Sequence, residues 1–536
     1  MPKQLLIVCG LLLCNCLSAQ DILWEKSYGG KHADYLMDAQ PTADYGFILA
    51  GASLSKKTGN KEEDNLGNLD YWIWKMNEGG DLDWQKTIGG SGADILYSIR
   101  NTKDGGFILA GTSDSQPGSF KKDSCRGRED IWVMKLNAKG GEQWQKTVGG
   151  SGQDMVKTVQ PTSDGGYIVG GSSSSDISLK ILAGDTDKYG KWEKTRGSLD
   201  YWVIKLDEKG DVTWQRTLGG QYVDMLESIE QTADGGYIVG GYSNSPGSFD
   251  KDHDGYGEGD YWVVKLDKNG ATEWQKVLGG EQDDHLAAII PLKEGGYIAA
   301  GNSASASSGN KSKTNRSGTD FWIVRLDEKG DILWQETYNT GKVDILTSIT
   351  QNNDGTLLIG GYAQSEVIGA PKKNDKKEIN DYIALKVSAK GEELWKEAVG
   401  SKGEDILKKL IETRDGGYLL AGTSKGQISR DKNSGKGSND FWVVKLKDKD
   451  KEKDKHVKAT IEAIPNPASQ FTNVIVGFEF TTGTATVVDM GGRLLQTFEV
   501  SSRTIPVDLS SYPVGMYIVE VNTDAGTSSV KVMKGN

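Results

Sequence analysis

The chain has 536 residues, 63 Lys and Arg against 75 Asp and Glu, and a formal net charge of −12. That balance argues against nucleic acid, whose binders carry basic faces to neutralise phosphate. Glycine supplies 70 residues and proline only 11, and with alternating apolar stretches this composition points to short strands joined by tight turns.

In chain order, residues 1–20 (MPKQLLIVCGLLLCNCLSAQ) combine Lys3, an apolar run and the small residue Ala19, the pattern of a secretory signal peptide that takes no part in the fold. Leu13 precedes Cys14 and Asn15 precedes Cys16, where lipid attachment needs a small residue. No later apolar run is long enough to span a bilayer. Cys9, Cys14 and Cys16 leave with this segment, so the exported chain is expected to retain only Cys125 and no internal disulfide. Cys125 reads as a bystander, since its loop changes from repeat to repeat and no histidine lies near it in sequence.

Residues 21–446 carry four signposts that recur in order seven times. A Trp stands at 24, 84, 144, 214, 274, 334 and 395, with spacings of 60, 60, 70, 60, 60 and 61 residues. Ten residues after each comes an Asp: Asp34, Asp94, Asp154, Asp224, Asp284, Asp344 and Asp405. Next comes a turn of the type DGGYIVGG, as at Asp104, Asp164, Asp234 and Asp415. The last is a run of the type DYWVVKL, beginning at Asp70, Asp130, Asp200, Asp260, Asp320, Asp381 and Asp440. Each copy holds four strand-like runs, named a to d here; in the fourth copy they are DMLESIEQT, GGYIVGGYS, DYWVVKLD and TEWQKVLG. Four strands at a fixed period predict a seven-bladed β-propeller, one blade per copy. The array opens on a lone strand d around Trp24 and stops after strand c of the seventh copy, so the first strand is expected to complete the last blade and close the ring. Thirteen of the fifteen tryptophans fall at two repeated positions, which assigns them to the core; Trp74 and Trp192 stand outside the pattern. An Asp at each strand-a start, beside a glycine turn, is expected to accept backbone N–H bonds rather than to form a cation ring.

The b–c connections differ in every copy, and variable loops on a rigid ring are where recognition sits. The longest lies at 172–199 and includes Asp185, Asp187 and Trp192. One loop, DKDHDGYGE at 250–258, alternates Asp250, Asp252 and Asp254, follows with Gly255, and ends on Glu258. With the Tyr256 carbonyl this oxygen spacing suits a single structural Ca2+. A degraded relative, DTDKYGKWE at 185–193, has Tyr189 where an acid belongs. Catalytic signatures are lacking: no Gly-x-Ser-x-Gly, no His-Glu-x-x-His, no phosphate loop, and four histidines in all (His32, His253, His285 and His456). Two readings follow. One is a surface or secreted binding module for glycan, matrix or protein; the other is a secreted polysaccharide hydrolase with paired carboxylates.

The segment KLDEKGDVTWQRTLGG at 205–220 resembles the tryptophan-docking repeats of quinoprotein-like and kelch-like propellers. Quinoprotein dehydrogenases usually have eight blades and often a vicinal disulfide at the cofactor; seven copies and one retained cysteine lead us to expect no quinone here. Residues 447–458 (KDKDKEKDKHVK) form a mixed-charge linker. Beyond it, 459–536 alternate apolar and polar residues over a small all-β module, expected to be a β-sandwich. The features Pro465-Asn466-Pro467, Gly492-Arg493, Asp508-Leu509, Gly515-Met516-Tyr517 and Lys534 resemble the type A sorting domain of the type IX secretion system in Bacteroidetes-like bacteria. That resemblance implies that the type IX machinery engages 459–536 and carries the protein across the outer membrane to the surface or medium.

Overall fold

The computed structural model describes residues 21–118, 120–316, 318–365, 379–414, 416–448, 461–468, 471–478 and 480–535. The expected signal peptide, the turn residue Asp415 and linker residues 449–458, with His456, lie outside the described residues. The described chain is all-β apart from one short helix, Leu179–Leu182, in the long b–c loop of the third copy.

Seven four-stranded antiparallel sheets follow the seven sequence copies. In the fourth, Asp224–Gln231, Tyr237–Ser243, Asp260–Leu266 and Thr272–Leu278 are strands a to d, hydrogen-bonded in that order. Strand c is buried at all seven positions, which explains its unbroken apolar reading; strand d is half-exposed over its first five residues. Register shifts at Leu226/Ser228 and Lys265/Leu266, repeated in the other sheets, are bulges that sharpen the twist. The seventh sheet takes its fourth strand from the start of the chain: Ile22–Tyr28 pairs with Asp440–Leu446, placing Glu25 opposite Val444.

No sheet buries its faces alone. Each core cluster mixes residues of two neighbours, as where Tyr201 and Val203 of the third sheet meet Leu226, Tyr237 and Trp262 of the fourth. The first and seventh sheets share a cluster in the same way, Leu36 and Trp72 packing with Leu419 and Phe441. The two tryptophan positions divide the work. On strand c, Trp72, Trp132, Trp202, Trp262, Trp322 and Trp442 are wholly buried. Five indole N–H groups donate to a glutamine on strand d, Trp202 to Gln215 at 3.1 Å for example, and Trp442 donates to Glu25 at 2.8 Å. The strand-d tryptophans, half-buried apart from Trp395, pack against the core clusters from their rims. Their rings cover the c–d turn of the next sheet, where a glycine at positive φ leaves room: Gly210 has φ +78°, and a methyl group there would lie 2.6 Å from Trp144. Trp74, outside the repeat, is also buried, at 3% exposure.

Residues 461–535 form a three-stranded sheet (Ile461–Ile464, Phe471–Val476, Thr504–Asp508) and a four-stranded sheet (Leu494–Val500, Gly483–Asp489, Gly515–Thr523, Gly526–Lys534) around one shared core. The sequence features have structural roles here. Lys534 is buried, with Nζ donating to the Leu509 carbonyl at 2.6 Å. Asn466 ties the Pro-Asn-Pro segment to the last strand through Met533 N–H at 2.9 Å and the Lys531 carbonyl at 2.8 Å. This module meets the tight-turn face of the repeat array, where Arg503 lies 4.3 Å over the Tyr45 ring and Lys139 lies 4.6 Å over Phe471.

Candidate functional site

The b–c and d–a connections share one face, and beneath them runs a buried polar layer. Each strand-a Asp accepts the N–H bonds expected of it: Asp224 takes Gly220 N–H at 2.7 Å and the Ser245 hydroxyl at 2.9 Å. Six strand-c Asp residues accept from their own loops, as Asp260 does from Tyr256 N–H at 2.7 Å. A lysine from most b–c loops turns inward between these two carboxylates: Lys61, Lys121, Lys191, Lys251, Lys311 and Lys432 are all buried.

Sequence reasoning missed the junctions. The strand-c Asp of one sheet faces the strand-a Asp of the next across the d–a glycines. At Gly279 an added methyl group would stand 1.7 Å from Asp260 Oδ1 and 3.0 Å from Asp284 Oδ2, so both carboxylates converge there. Asp260 and Asp284 are fully buried, and Oδ1 of Asp70, Asp130 and Asp260 has no hydrogen-bond partner. Burial, with the neighbouring carboxylate adding to it, pushes Asp70, Asp130 and Asp260 up to about 6. The lysines feel the same burial, and Lys191 falls to about 8. These paired carboxylates are walled off from any polysaccharide, so they are not the open pair a glycoside hydrolase requires.

The loop at 250–258 does not gather its five predicted ligands. Lys251 points inward, its ammonium on the Ser245 carbonyl; Asp250 sits in the tight turn closed by Ser248 and Lys251, and Asp252 is exposed beyond it. Asp250 Oδ2 pairs with Arg196 Nε at 2.8 Å, Asp252 pairs with His253 at 2.5 Å, and Asp254 Oδ1 accepts Gly247 N–H at 2.8 Å. Tyr256 and Glu258 are exposed. Among the described residues, no group of three or more His, Cys, Asp or Glu side chains is placed to hold a metal. The relative at 185–193 is likewise committed: both Asp187 oxygens take Arg126 at 2.7 Å, Trp192 donates to the Asp187 carbonyl at 2.8 Å, and Tyr189 donates to Asp211 at 2.6 Å. Cys125 occupies the place of Asn65 and Asn315, 2.8 Å from Lys121 Nζ, and burial raises its thiol pKa, which favours the unreactive form. Above this layer the loop face carries three exposed aromatics around the fourth sheet: Tyr222, Phe249 and Tyr256.

Residues 462–535 match the secretion system C-terminal sorting domain. The protein is therefore secreted or held at the cell surface of a Bacteroidetes-like bacterium, and its sorting tail engages the secretion machinery. Over 213 residues the chain is 21% identical to the regulatory protein FlaEY of Caulobacter vibrioides, covering 39% of this chain and 22% of that protein's length. Among solved structures it is similar to Sqt1 from Chaetomium thermophilum (10% identity, TM-score 0.40, 80% of this chain and 99% of that one). It is also similar to PorZ, a surface component of the type IX secretion system of Porphyromonas gingivalis (11% identity, TM-score 0.23, 97% and 87%).

Proposed function

We propose that residues 21–446 are one seven-bladed β-propeller closed by the strand 22–28, that 459–536 is a β-sandwich serving as its export address, and that the propeller is a binding module for an extracellular glycan, matrix or protein. One observation carries this reading. The sheets, their Trp–Gln pairs and their buried Asp and Lys recur from copy to copy, while the b–c loops above them change. A conserved frame under varied loops is the economy of a recognition surface. The sorting module meets the opposite, tight-turn face and leaves the loops open.

The test is to immobilise the purified chain, offer it polysaccharides and extracellular proteins, and analyse every glycan for cleavage. Saturable retention without products supports the module; cleavage without stable retention overturns it. Calcium at 250–258 belongs to the same reading only if Asp250 leaves Arg196 and Asp254 leaves Gly247. Calorimetric titration of the chain beside an Asp252→Ala, Asp254→Ala variant decides this, since a folded-state ligand raises the melting temperature by mass action. Identical heats and melting curves refute calcium binding.

A further inference from the structure

We propose that the loop face of the fourth sheet is a carbohydrate platform, built on Phe249 with Tyr222 and Tyr256, for an uncharged pyranose chain. This rests on the reading of the protein as a binding module and names its ligand class and residues.

The first observation is backbone strain without return. One position in the b–c loop is held at positive φ wherever it is described with this geometry: Gly59 (+64°), Phe249 (+51°), Gly309 (+58°) and Arg430 (+51°). The next residue donates its N–H to the end of the preceding strand d, as Asp250 does to Gly219 at 3.1 Å and Asn310 to Gly279 at 3.1 Å. Glycine takes this conformation freely, whereas a side chain there is strained. Arg430 offsets the strain with an ion pair to Asp381 at 3.3 Å. Phe249 makes no such ion pair and is 69% exposed. A strained aromatic presented to solvent, where Gly59 and Gly309 stand in other copies, serves something outside the chain.

The second observation is that two more loop positions of this sheet are aromatic only here. Tyr222 is 51% exposed where other copies have His32, Gly92, Gly152, Gln282 and Gly403. Tyr256 is 46% exposed where they have Leu66, Arg126, Arg196, Arg316 and Lys436. Gln221 N–H donates to Ser248 Oγ at 3.0 Å and Tyr222 N–H to Ser245 Oγ at 2.9 Å, so the backbones of the d–a link and the b–c loop that carry these residues are stitched together. The Tyr256 ring lies against Gly309, so the aromatics extend across the next junction as well.

The chemistry of the surroundings selects the occupant. Separate amphipathic rings with polar neighbours fit the apolar C–H faces and flanking hydroxyls of a sugar chain better than a continuous apolar helix. The loop presents Asp250, Asp252, Asp254 and Glu258, while its one lysine, Lys251, is buried. That charge repels polyanionic glycans.

The experiment is affinity electrophoresis of the full chain through gels containing laminarin, xylan or galactomannan, with polygalacturonate as the acidic control. Wild type is expected to be retarded by at least one neutral chain and not by polygalacturonate. Phe249→Gly installs the residue found at Gly59 and Gly309, so its melting temperature should be equal or higher, yet its retardation should fall at least tenfold; Tyr222→Gly, Tyr256→Arg should do likewise. Equal retardation of wild type and Phe249→Gly, or retardation by polygalacturonate alone, overturns the platform while leaving a binding module. If none of these carbohydrates retards the chain, the platform is wrong, and the module is then judged by the protein arm of the screen above.

Discussion

Gln215 holds two elements through one amide. Its oxygen accepts the buried Trp202 indole N–H at 3.1 Å, and its nitrogen donates to the Gly190 carbonyl of the b–c loop at 2.8 Å. Gln215→Ala leaves both partners unsatisfied and should destabilise by about 2 kcal/mol in urea titrations, against about 3–5 kcal/mol for Trp202→Ala. An unchanged midpoint for Gln215→Ala would show that water satisfies both groups. The junction carboxylates give a pH prediction. Asp260, facing Asp284, Lys251 and the Tyr256 N–H, is raised to about 6, so the fold favours its protonated form. Its contribution is fully present below the unfolded pKa near 4 and is lost as pH rises through 6. The tight-turn acids Asp164 and Asp234, lowered to about 2 by hydrogen bonds and by Lys205 and Lys265, act oppositely and weaken the fold only as pH falls toward 2. Urea stability should therefore decline between pH 4.5 and 7.5, and Asp260→Asn, neutral at every pH, should flatten that decline by an amount on the order of 2 kcal/mol. A variant with the same pH slope as wild type would remove Asp260 from the account. The sixty-residue period made each Asp visible as a separate signpost. It did not make their meeting visible, because Asp260 and Asp284 belong to different copies and converge only once neighbouring sheets pack.

Strands were the most legible elements. The unbroken apolar reading of DYWVVKL and the turn glycines located all four strands of the fourth copy, since burial on both faces and the c–d turn leave direct marks on residue choice. Loop 250–258 was not legible in the same way. The Asp-x-Asp-x-Asp spacing does not show that Asp250 lies in a tight turn on Arg196 while Lys251 between the acids is buried. The strand-d tryptophans repeat because each packs against a core cluster and also covers a turn at the rim, as Trp144 does at Gly210. Gly210→Ala tests that contact. With φ at +78° and Trp144 at 2.6 Å from the added methyl, it should lower stability by about 1–3 kcal/mol, measured by thermal or urea unfolding. Deleting residues 21–28 tests the shared sheet. It exposes the edge of Asp440–Leu446 and removes Glu25 from Trp442, so the truncated chain should melt well below the intact one; unchanged melting would show that the first strand is dispensable.

At the scale of the molecule, the sorting module was readable down to single residues, because Asn466 and Lys534 are held by contacts inside a short segment. A chain ending near residue 458 should fold but remain in the periplasm, as fractionation with an antibody to the repeat array would detect; surface display of that chain would refute the export role. The loop-face ligand was not readable, since three aromatics count as a surface only after different loops lie side by side. The pairing of the first strand with the last sheet also sets a schedule. Glu25 can find Val444 only once everything between them has reached the compartment where the exported chain folds. Until then the earliest-made strand has no partner, and a bare strand invites pairing with other chains. The seventh sheet thus closes last: it stays one strand short until Ile22–Tyr28 and Asp440–Leu446 are both present.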